Sequence, residues 1–420
     1  MNTLKSNPIV WIGLMLFLGF TQQTKAQESH SLHNLSNQEL EATPISLEKA
    51  KQKAIANYPK MKMARLQIKN QESLKKTAWD LGSTRVFTGQ EEAGNGSDGV
   101  YTQIGVQQQN IDIFGIGPKR KLQKQRVILA RQVLNLSEAE VHREVSRAWA
   151  EVYSAAKIYA VYQSLDSVFK DIKRAADVRL ETEAASKLEY LATSNQANQV
   201  LIKRQQAYHD YQSALQKLNL WFASDTLFKT KEIAVESLNK PFDFSQDTLK
   251  KHPRLQMAEQ KIQVAGANID EKRSRFFPKF QGQYGKVEIG GRQGFYSYQV
   301  GLQIPLFFGP ELGRFQSAKI EKQIAEQGLK QNQLELNSAY RVTRQEFLKW
   351  RDSWQYYQEK ALPLAKEQRR GSVLAYEEGG LDYIGFLQNI REAINIEISS
   401  WKALRKYLDS RFRLAYYLKN

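Results

Sequence analysis

The sequence predicts a mainly α-helical chain with membrane β, built as a duplicated unit of long coiled-coil helical hairpins plus four β-strands. Three observations predict it. Residues recur in the same order at nearly one spacing. An export signal opens a chain that has no helical span. One segment alternates as a strand facing lipid on one side and water on the other. The repeat is the strongest of the three. Asn57-Tyr58-Pro59-Lys60-Met61-Lys62-Met63-Ala64 lines up with Lys251-His252-Pro253-Arg254-Leu255-Gln256-Met257-Ala258, 194 residues on. Ile104-Gly105-Val106 matches Val300-Gly301-Leu302 at 196, and Lys187-Leu188-Glu189-Tyr190-Leu191 matches Gly380-Leu381-Asp382-Tyr383-Ile384 at 193. A unit of about 180 residues is a duplicated domain rather than a solenoid array.

Composition narrows the classes. Lys plus Arg number 61 against 44 Asp plus Glu, a formal charge of +17, which suits nucleic acid or an anionic membrane surface. Hydrophobic residues make up 41% of 420, a modest core that disfavours a large compact α/β enzyme. Ten prolines and 24 glycines are few, favouring long uninterrupted elements. Cysteine is absent, which removes disulfides, Cys-based zinc sites, thiol nucleophiles and cysteine-anchored lipids.

Taken in order, residues 1–26 read as a signal peptide. Lys5 is its basic start, Ile9 to Phe20 its short apolar run, and Thr24-Lys25-Ala26 a cleavage site before Gln27. Cleavage removes Lys5 and Lys25 and leaves +15. Export argues against nucleic acid as partner. Residues 27–44 are a linker. The first repeat, 45–222, is read as helix Leu47 to Asp80, a strand pair within 85–114 (Arg85 to Gln90 and Val100 to Phe114), a long helix from Pro118 to about Thr182, and helix Lys187 to Phe222. Residues 223–245 join the repeats. The second repeat, 246–420, gives helix Gln246 to Arg275, a strand pair within 279–308 (Lys279 to Glu288 and Phe295 to Phe308), helix Pro310 to Tyr376, and helix Leu381 to Lys419. Pro118 and Pro310 are placed in first turns, where proline is tolerated. Phe277-Pro278 closes a helix, because the residue before proline avoids the α region.

The long helices, of about 65 residues, would reach roughly 95–100 Å at 1.5 Å per residue. In the last helix Leu381, Ile384, Leu387, Ile390, Ile394, Ile398, Trp401, Leu404, Leu408, Phe412 and Ala415 recur every 3.4 residues on average. That is close to the repeat of a left-handed coiled coil. Such seams must pack on one another, here as antiparallel hairpins turning at 183–187 and 377–381.

The strands add the membrane argument. Tyr296, Tyr298, Val300, Leu302, Ile304 and Leu306 share one face, and Ser297, Gln299, Gly301 and Gln303 the other. Apolar-out, polar-in alternation over about ten residues marks a barrel strand with a wet interior. In the first copy Ile104 and Val106 face one way, Gln107-Gln108-Gln109 interrupts, and Ile111 and Ile113 resume in the opposite phase, which a bulge would explain. A soluble half-buried sheet shows the same alternation in any single strand, but export, the missing helical spans and the repeat favour the membrane. Four strands cannot close a barrel, and bilayers do not tolerate open sheet edges. Eight strands leave an interior just filled by side chains, whereas three chains would supply twelve and a usable lumen. Oligomerisation is therefore a requirement of this reading.

No catalytic constellation is present, so the chain is not expected to be an enzyme, and no cofactor or metal site is assigned. His30 and His33 form an isolated H-x-x-H pair. Gly94, Gly96 and Gly99 resemble a phosphate loop but lack the following lysine and helix start, and read as a hairpin loop. Lys119-Arg120-Lys121 with Lys272, Arg273 and Arg275 falls where both copies meet the barrel, at anionic headgroups or on a solvated face.

The chain resembles the TolC-type outer-membrane efflux channel family over essentially all of its mature length. The resemblance is carried by the duplicated unit, the Phe277-Pro278-Lys279-Phe280 junction and Ile304-Pro305-Leu306-Phe307-Phe308-Gly309. Gly379-Gly380-Leu381-Asp382-Tyr383 followed by Phe386-Leu387-Gln388-Asn389 is similar to the cation-efflux branch, which would imply metal cations as cargo. The family implies a homotrimer in outer-membrane lipid, with a twelve-stranded barrel and a periplasmic α-helical barrel. It also implies partners: a periplasmic adaptor (membrane fusion) protein and an inner-membrane pump, the RND type among its classes. The implied role is a passive exit duct. The alternative is an adaptor-like periplasmic coiled-coil protein, although adaptors carry one hairpin and this chain two. Family channels close at the hairpin tips with acidic, Tyr and Arg side chains. Carried over by position, Tyr376 matches a tip tyrosine, while the positions of an aspartate ring in some members fall on Ala192 and Gly385. Glu189, Tyr190, Asp382 and Tyr383 occupy equivalent places in the two copies and complete the set of gate candidates. In a trimer, six such carboxylates near an axis would repel each other and attract cations.

Overall fold

A computed structural model describes residues 42–92, 99–183, 186–232 and 247–418. The signal segment, nearly all of the 27–44 linker with His30 and His33, the Gly94 and Gly96 loop, and most of the inter-repeat segment lie outside the described residues. From Thr43 onward the chain forms one compact unit.

The element order helices, strand pair, long helix, helix occurs twice. Its first pass comprises β1 (Thr43–Ile45), α1 (Leu47–Asn57), α2 (Pro59–Leu74), a 3₁₀ turn (Lys75–Trp79), β2 (Ser83–Glu92), β3 (Val100–Ile111), α3 (Ile113–Glu181) and α4 (Lys187–Asn219). Then follow β4 (Phe228–Thr230), α5 (Asp247–Lys250), α6 (Pro253–Ser274), β5 (Lys279–Ile289), β6 (Arg292–Gln303), α7 (Gly309–Tyr356), a π-turn (Tyr357–Ala361), α8 (Leu362–Glu377) and α9 (Tyr383–Leu418). Among the described residues no helix is long and apolar enough to cross a membrane.

Several boundaries differ from those read in the sequence, each for a local reason. The opening helix of each copy breaks before its proline. Tyr58 and His252 are extended (ψ 129° and 135°), as residues preceding proline prefer. The first long helix starts at Ile113, not Pro118, because Asp112 caps it by accepting from the Gly115 N–H at 2.8 Å. Pro118 thus sits in the second turn and β3 ends at Ile111, so Phe114 is helical. β6 ends at Gln303, before Pro305, which cannot donate to a ladder. The second long helix is interrupted by the π-turn just ahead of Pro363, whose ring would clash with the carbonyl four residues back in a regular helix. A short parallel pair, β1 with β4, has no counterpart in the sequence reading. It is tied to α4 by Asn219, whose amide donates to the Phe228 carbonyl (2.9 Å) and whose oxygen accepts from the Phe228 N–H (2.8 Å).

β2-β3-β5-β6 form one antiparallel sheet. Its rungs sort the side chains into two faces with exceptions, for Lys286 and Gln108 stand on the mainly apolar face and Phe87, Val287 and Phe295 on the mainly polar one. Val86, Ile104, Val106, Tyr284, Tyr296, Tyr298, Val300 and Leu302 share one face. Arg85, Gln107, Gln283, Gln299, Gln103, Gln281, Gly105, Gly285 and Gly301 share the other. The apolar face is bare, with Tyr298 82% and Val300 80% exposed. The phase reversal in β3 is a bulge. The register against β5 slips between Gln108 and Ile111, at Asn110 in the left-handed region (φ 60°). One extra residue returns Ile111 to the apolar face, paired with Phe280. At Gly105 a Cβ would lie 2.5 Å from the Tyr284 carbonyl and 2.8 Å from the Phe87 ring, so only glycine lets that ring lie flat on the wet face.

Two cores hold the helices. The larger gathers Trp149, Val145 and Tyr153 of α3, Leu218 of α4, Tyr340, Phe347 and Trp354 of α7, and Leu404 and Leu408 of α9. There Trp149 stacks on Tyr153 and Trp354 on Tyr407. The smaller lies toward the hairpin turns: Leu165, Phe169, Ala197, Val200, Tyr383, Phe386, Ile390, Ile394 and Ile398. The start of the α9 seam differs from the sequence reading. Ile384 is 73% exposed while Tyr383 and Phe386 are buried, so the apolar stripe lies one to two residues out of phase there.

The basic cluster at the sheet–helix junction is largely neutralised within the chain. Lys119 pairs with Asp112 (3.1 Å), Lys121 with Asp270 (2.7 Å), and Lys272 and Arg275 flank buried Glu271 (both 2.8 Å). Burial alone would raise the pKa of Glu271. The two cations outweigh it and hold the group below the ordinary carboxylate value. Beside the cluster is an aromatic girdle of Phe114 on Phe277 (5.1 Å) and Phe276 against Phe308 and Phe315 (6.0 Å each).

Candidate functional site

The gate candidates gather where α3 turns into α4 and α8 into α9. α3 ends at Glu181 with Thr182 as its C-cap, and Glu183 is left-handed at φ 58°. α8 ends in a Schellman closure around Gly379 (φ 75°), with Gly379 N–H on the Tyr376 carbonyl and Gly380 N–H on Ala375. Ser186 caps α4 through the Glu189 N–H (3.1 Å), and Asp382 caps α9 through the Gly385 N–H (2.9 Å). These caps turn the chain back so that the hairpins lie side by side on α3.

A link joins the two hairpins. The Arg179 guanidinium, on α3, donates to the Tyr376 hydroxyl on α8 at 3.1 Å and pairs with the Glu189 carboxylate on α4 at 3.3 Å. Tyr376 stacks on Phe386 (4.7 Å) and lies 6.1 Å from Tyr383. Tyr383 is 6% exposed, and burial pushes its hydroxyl pKa up. Thr193, beside it, donates to the Glu189 carbonyl at 2.8 Å. The cluster is therefore one Arg bridging an acid and a phenol, seated on an aromatic floor.

The structure gives the candidate residues unequal places. Glu189 and Tyr376 share the Arg179 link. Tyr190 lies half-buried on α4 with the Lys187 ammonium 4.8 Å from its ring. Asp382 is exposed and engaged as the cap of α9, whereas Glu189 at the same repeat position sits in the first turn of α4. The repeat spacing of 193 nonetheless holds for burial. Thr193 and Phe386, Ala197 and Ile390, Val200 and Ala393, Ala207 and Ser400, and Ala214 and Tyr407 are all buried. α4 simply begins one turn earlier than α9. Arg179 and Thr193 were not singled out in the sequence, and Phe386 entered there only through the Phe386-Leu387-Gln388-Asn389 segment. Among the described residues no group of His, Asp and Glu is placed to hold a metal ion.

Comparison with known proteins agrees with the fold. Residues 244–370 match the family model described as outer membrane efflux protein. No curated protein sequence matches the chain. Among solved structures, a membrane protein from Pseudomonas aeruginosa superposes with a TM-score of 0.74 at 16% identity, covering 90% of this chain and 91% of its own. The Campylobacter jejuni CmeC outer membrane channel gives 0.77 at 13% identity, with 89% and 85% covered. The fold is that of the TolC-type outer-membrane efflux channels. CusC, whose structures concern folding and transmembrane channel formation, is similar at 0.74 and 14% identity, covering 90% and 93%. At these identities the structural likeness carries the architecture, and the sequence match covers the second copy only up to residue 370.

Proposed function

We propose that three copies of this chain form an outer-membrane exit duct, with twelve strands closing a barrel and the helical hairpins continuing it as a periplasmic tunnel. The observation that supports it most is the sheet. It is mainly apolar on one face and glutamine- and glycine-rich on the other, and its long edges, β2 and β6, have no partner strand among the described residues. An open edge is intolerable in hydrocarbon, and a bare apolar face is intolerable in water. Pairing β6 of one copy with β2 of the next removes the open edges, and insertion into lipid covers the apolar face. The apolar band from Tyr296 to Leu302, continued by exposed Ile304 and Leu306, suits the band of roughly 25 Å that membrane barrels present to lipid.

In this reading residues 1–26 are removed on export, and the repeats at 45–222 and 246–420 each supply two strands and one hairpin. The tips dock to a periplasmic adaptor that links the duct to an inner-membrane pump, and conduction is passive. Arg179, Glu189 and Tyr376 form the latch. The positive guanidinium holds an acid and a phenol from different helices, so closing the tip draws the hairpins together without burying an unpaired charge. Tyr383 with Phe386 forms the floor, while Tyr190 and Asp382 line the turn. In planar bilayers the purified protein is expected to conduct weakly, and Arg179→Ser, which releases both partners, is expected to raise conductance. A protein that never inserts, or one whose conductance ignores Arg179, would contradict the duct or the latch respectively.

A further inference from the structure

We infer that Arg85 makes the barrel section of the duct prefer anions, so that the cargo class is anionic or neutral rather than free metal cations. The inference rests on the barrel reading above, with the glutamine face turned to the lumen. Rung by rung, that face is nearly uncharged. Arg85 stands opposite Gln107, which faces Gln283, which faces Gln299. The next rung outward is Phe87, Gly105, Gly285 and Ser297. Among the described strand residues the charges on this face are Arg85, Lys279 at the inner end, and Arg292 and Glu91 at the outer end. Arg85 is thus the charge in the middle, and Glu91 lies six residues along the same strand.

Long neighbours on this face lie down over glycines. A Cβ at Gly301 would meet the Gln281 amide at 2.7 Å, one at Gly285 the Gln103 amide at 3.1 Å, and one at Gly105 the Phe87 ring. Arg85 has no such cradle. Its diagonal neighbour Gly105 is already covered by Phe87, and Arg85 is exposed with no ion pair among the described residues. Magnitudes decide whether one arginine per chain matters. Twelve strands about 4.8 Å apart and tilted about 40° give a backbone radius near 12 Å, of which an extended arginine covers roughly half. At the level of Arg85 the barrel axis then lies about 6 Å from each guanidinium, inside the Debye length of about 8 Å at physiological salt. Three such groups concentrate anions, present forks that suit carboxylate or phosphate, and repel divalent cations.

The chain has no cysteine, so single-cysteine variants are clean probes. In reconstituted membranes Arg85→Cys is expected to react with a water-soluble, membrane-impermeant thiol reagent, and its neighbour Val86→Cys to be protected by lipid. The reverse pattern would overturn the barrel reading itself. Given lumen-facing Arg85, reversal potentials in a potassium chloride gradient separate the second claim. In an Arg179→Ser background, Arg85→Lys is expected to keep the anion preference, Arg85→Gln to move the reversal potential toward zero, and Arg85→Glu to carry it through zero. A reversal potential unchanged in Arg85→Glu, with the Arg85→Cys site still reactive, would overturn the inference and leave the duct intact.

Discussion

The two helical hairpins descend from one repeated unit yet differ in how they are held. In the first, α3 runs 69 residues without interruption and packs small residues of α4, such as Thr193 and Ala197, at its lower end. In the second, the outgoing helix is broken by the π-turn before Pro363, and α9 fills the lower core with Phe386, Ile390 and Ile394. Turn chemistry differs too: the first tip forces Glu183 into a left-handed backbone where the second has Gly379. In the proposed duct, the uninterrupted first hairpin would keep the wall and the interrupted, heavily packed second one would carry the seat of the latch. The positions of the break and of the large side chains both point to the second.

The largest effects should therefore fall on α9 and on the break. Phe386→Ala empties a fully buried ring site and is expected to cost about 3–5 kcal/mol locally. Its counterpart Thr193→Ala loses one back-bonded hydroxyl, about 1 kcal/mol. Hydrogen exchange at 180–195 and 375–390 would register the contrast, and equal losses would break it. Pro363→Ala should let the π-turn become regular helix and slow exchange through 357–363. Lys170→Pro, at the matching point of α3, should cost about 3 kcal/mol and create the break that the first hairpin lacks.

Smaller effects sharpen the comparison. Glu183→Gly relieves a left-handed non-glycine and should stabilise the first tip by about 1 kcal/mol, whereas Gly379→Ala should cost the second a similar amount. Thermal melts of the two variants should move in opposite directions. Tyr376→Phe keeps the Phe386 stack but frees Arg179 from its hydroxyl, so conductance should rise less than in Arg179→Ser.

A pH effect separates the tips from the sheet junction. Glu271 has a folded pKa below its unfolded value, so its contribution is full above the unfolded value and is lost as pH falls through the folded one. Tyr383 is the opposite case: raised by burial, its contribution is full below the unfolded value and is lost as pH rises through the folded one. Acid should therefore loosen the junction first and strong alkali the second tip. Glu271→Gln should remove only the acid arm of a stability-against-pH curve.

Much of this architecture was legible in the chain because its signals are long. The repeat, the helix lengths and the alternation in β6 are patterns over tens of residues, and even the β3 bulge shows as a phase flip at Gln107-Gln108-Gln109. The misreadings came from short-range rules competing. Asp112 out-caps Pro118, Tyr58-Pro59 and His252-Pro253 split helices that periodicity runs through, and Ile384 fits a seam that Phe386 occupies. The latch was half visible. Tyr376 and Glu189 stand near turns, and Arg179 reaches Glu189 across the turn of its own hairpin, but it meets Tyr376, 197 residues on, only because the two hairpins are laid side by side, and no local pattern encodes that.

The central claim is that no single copy completes its own sheet, and the state of the purified mature chain tests it most directly. Native mass spectrometry from detergent should give a species of three chains, each beginning at Gln27, that precipitates when detergent is withdrawn. A single chain that stays dispersed in plain buffer with its β2 and β6 edges open would contradict the account.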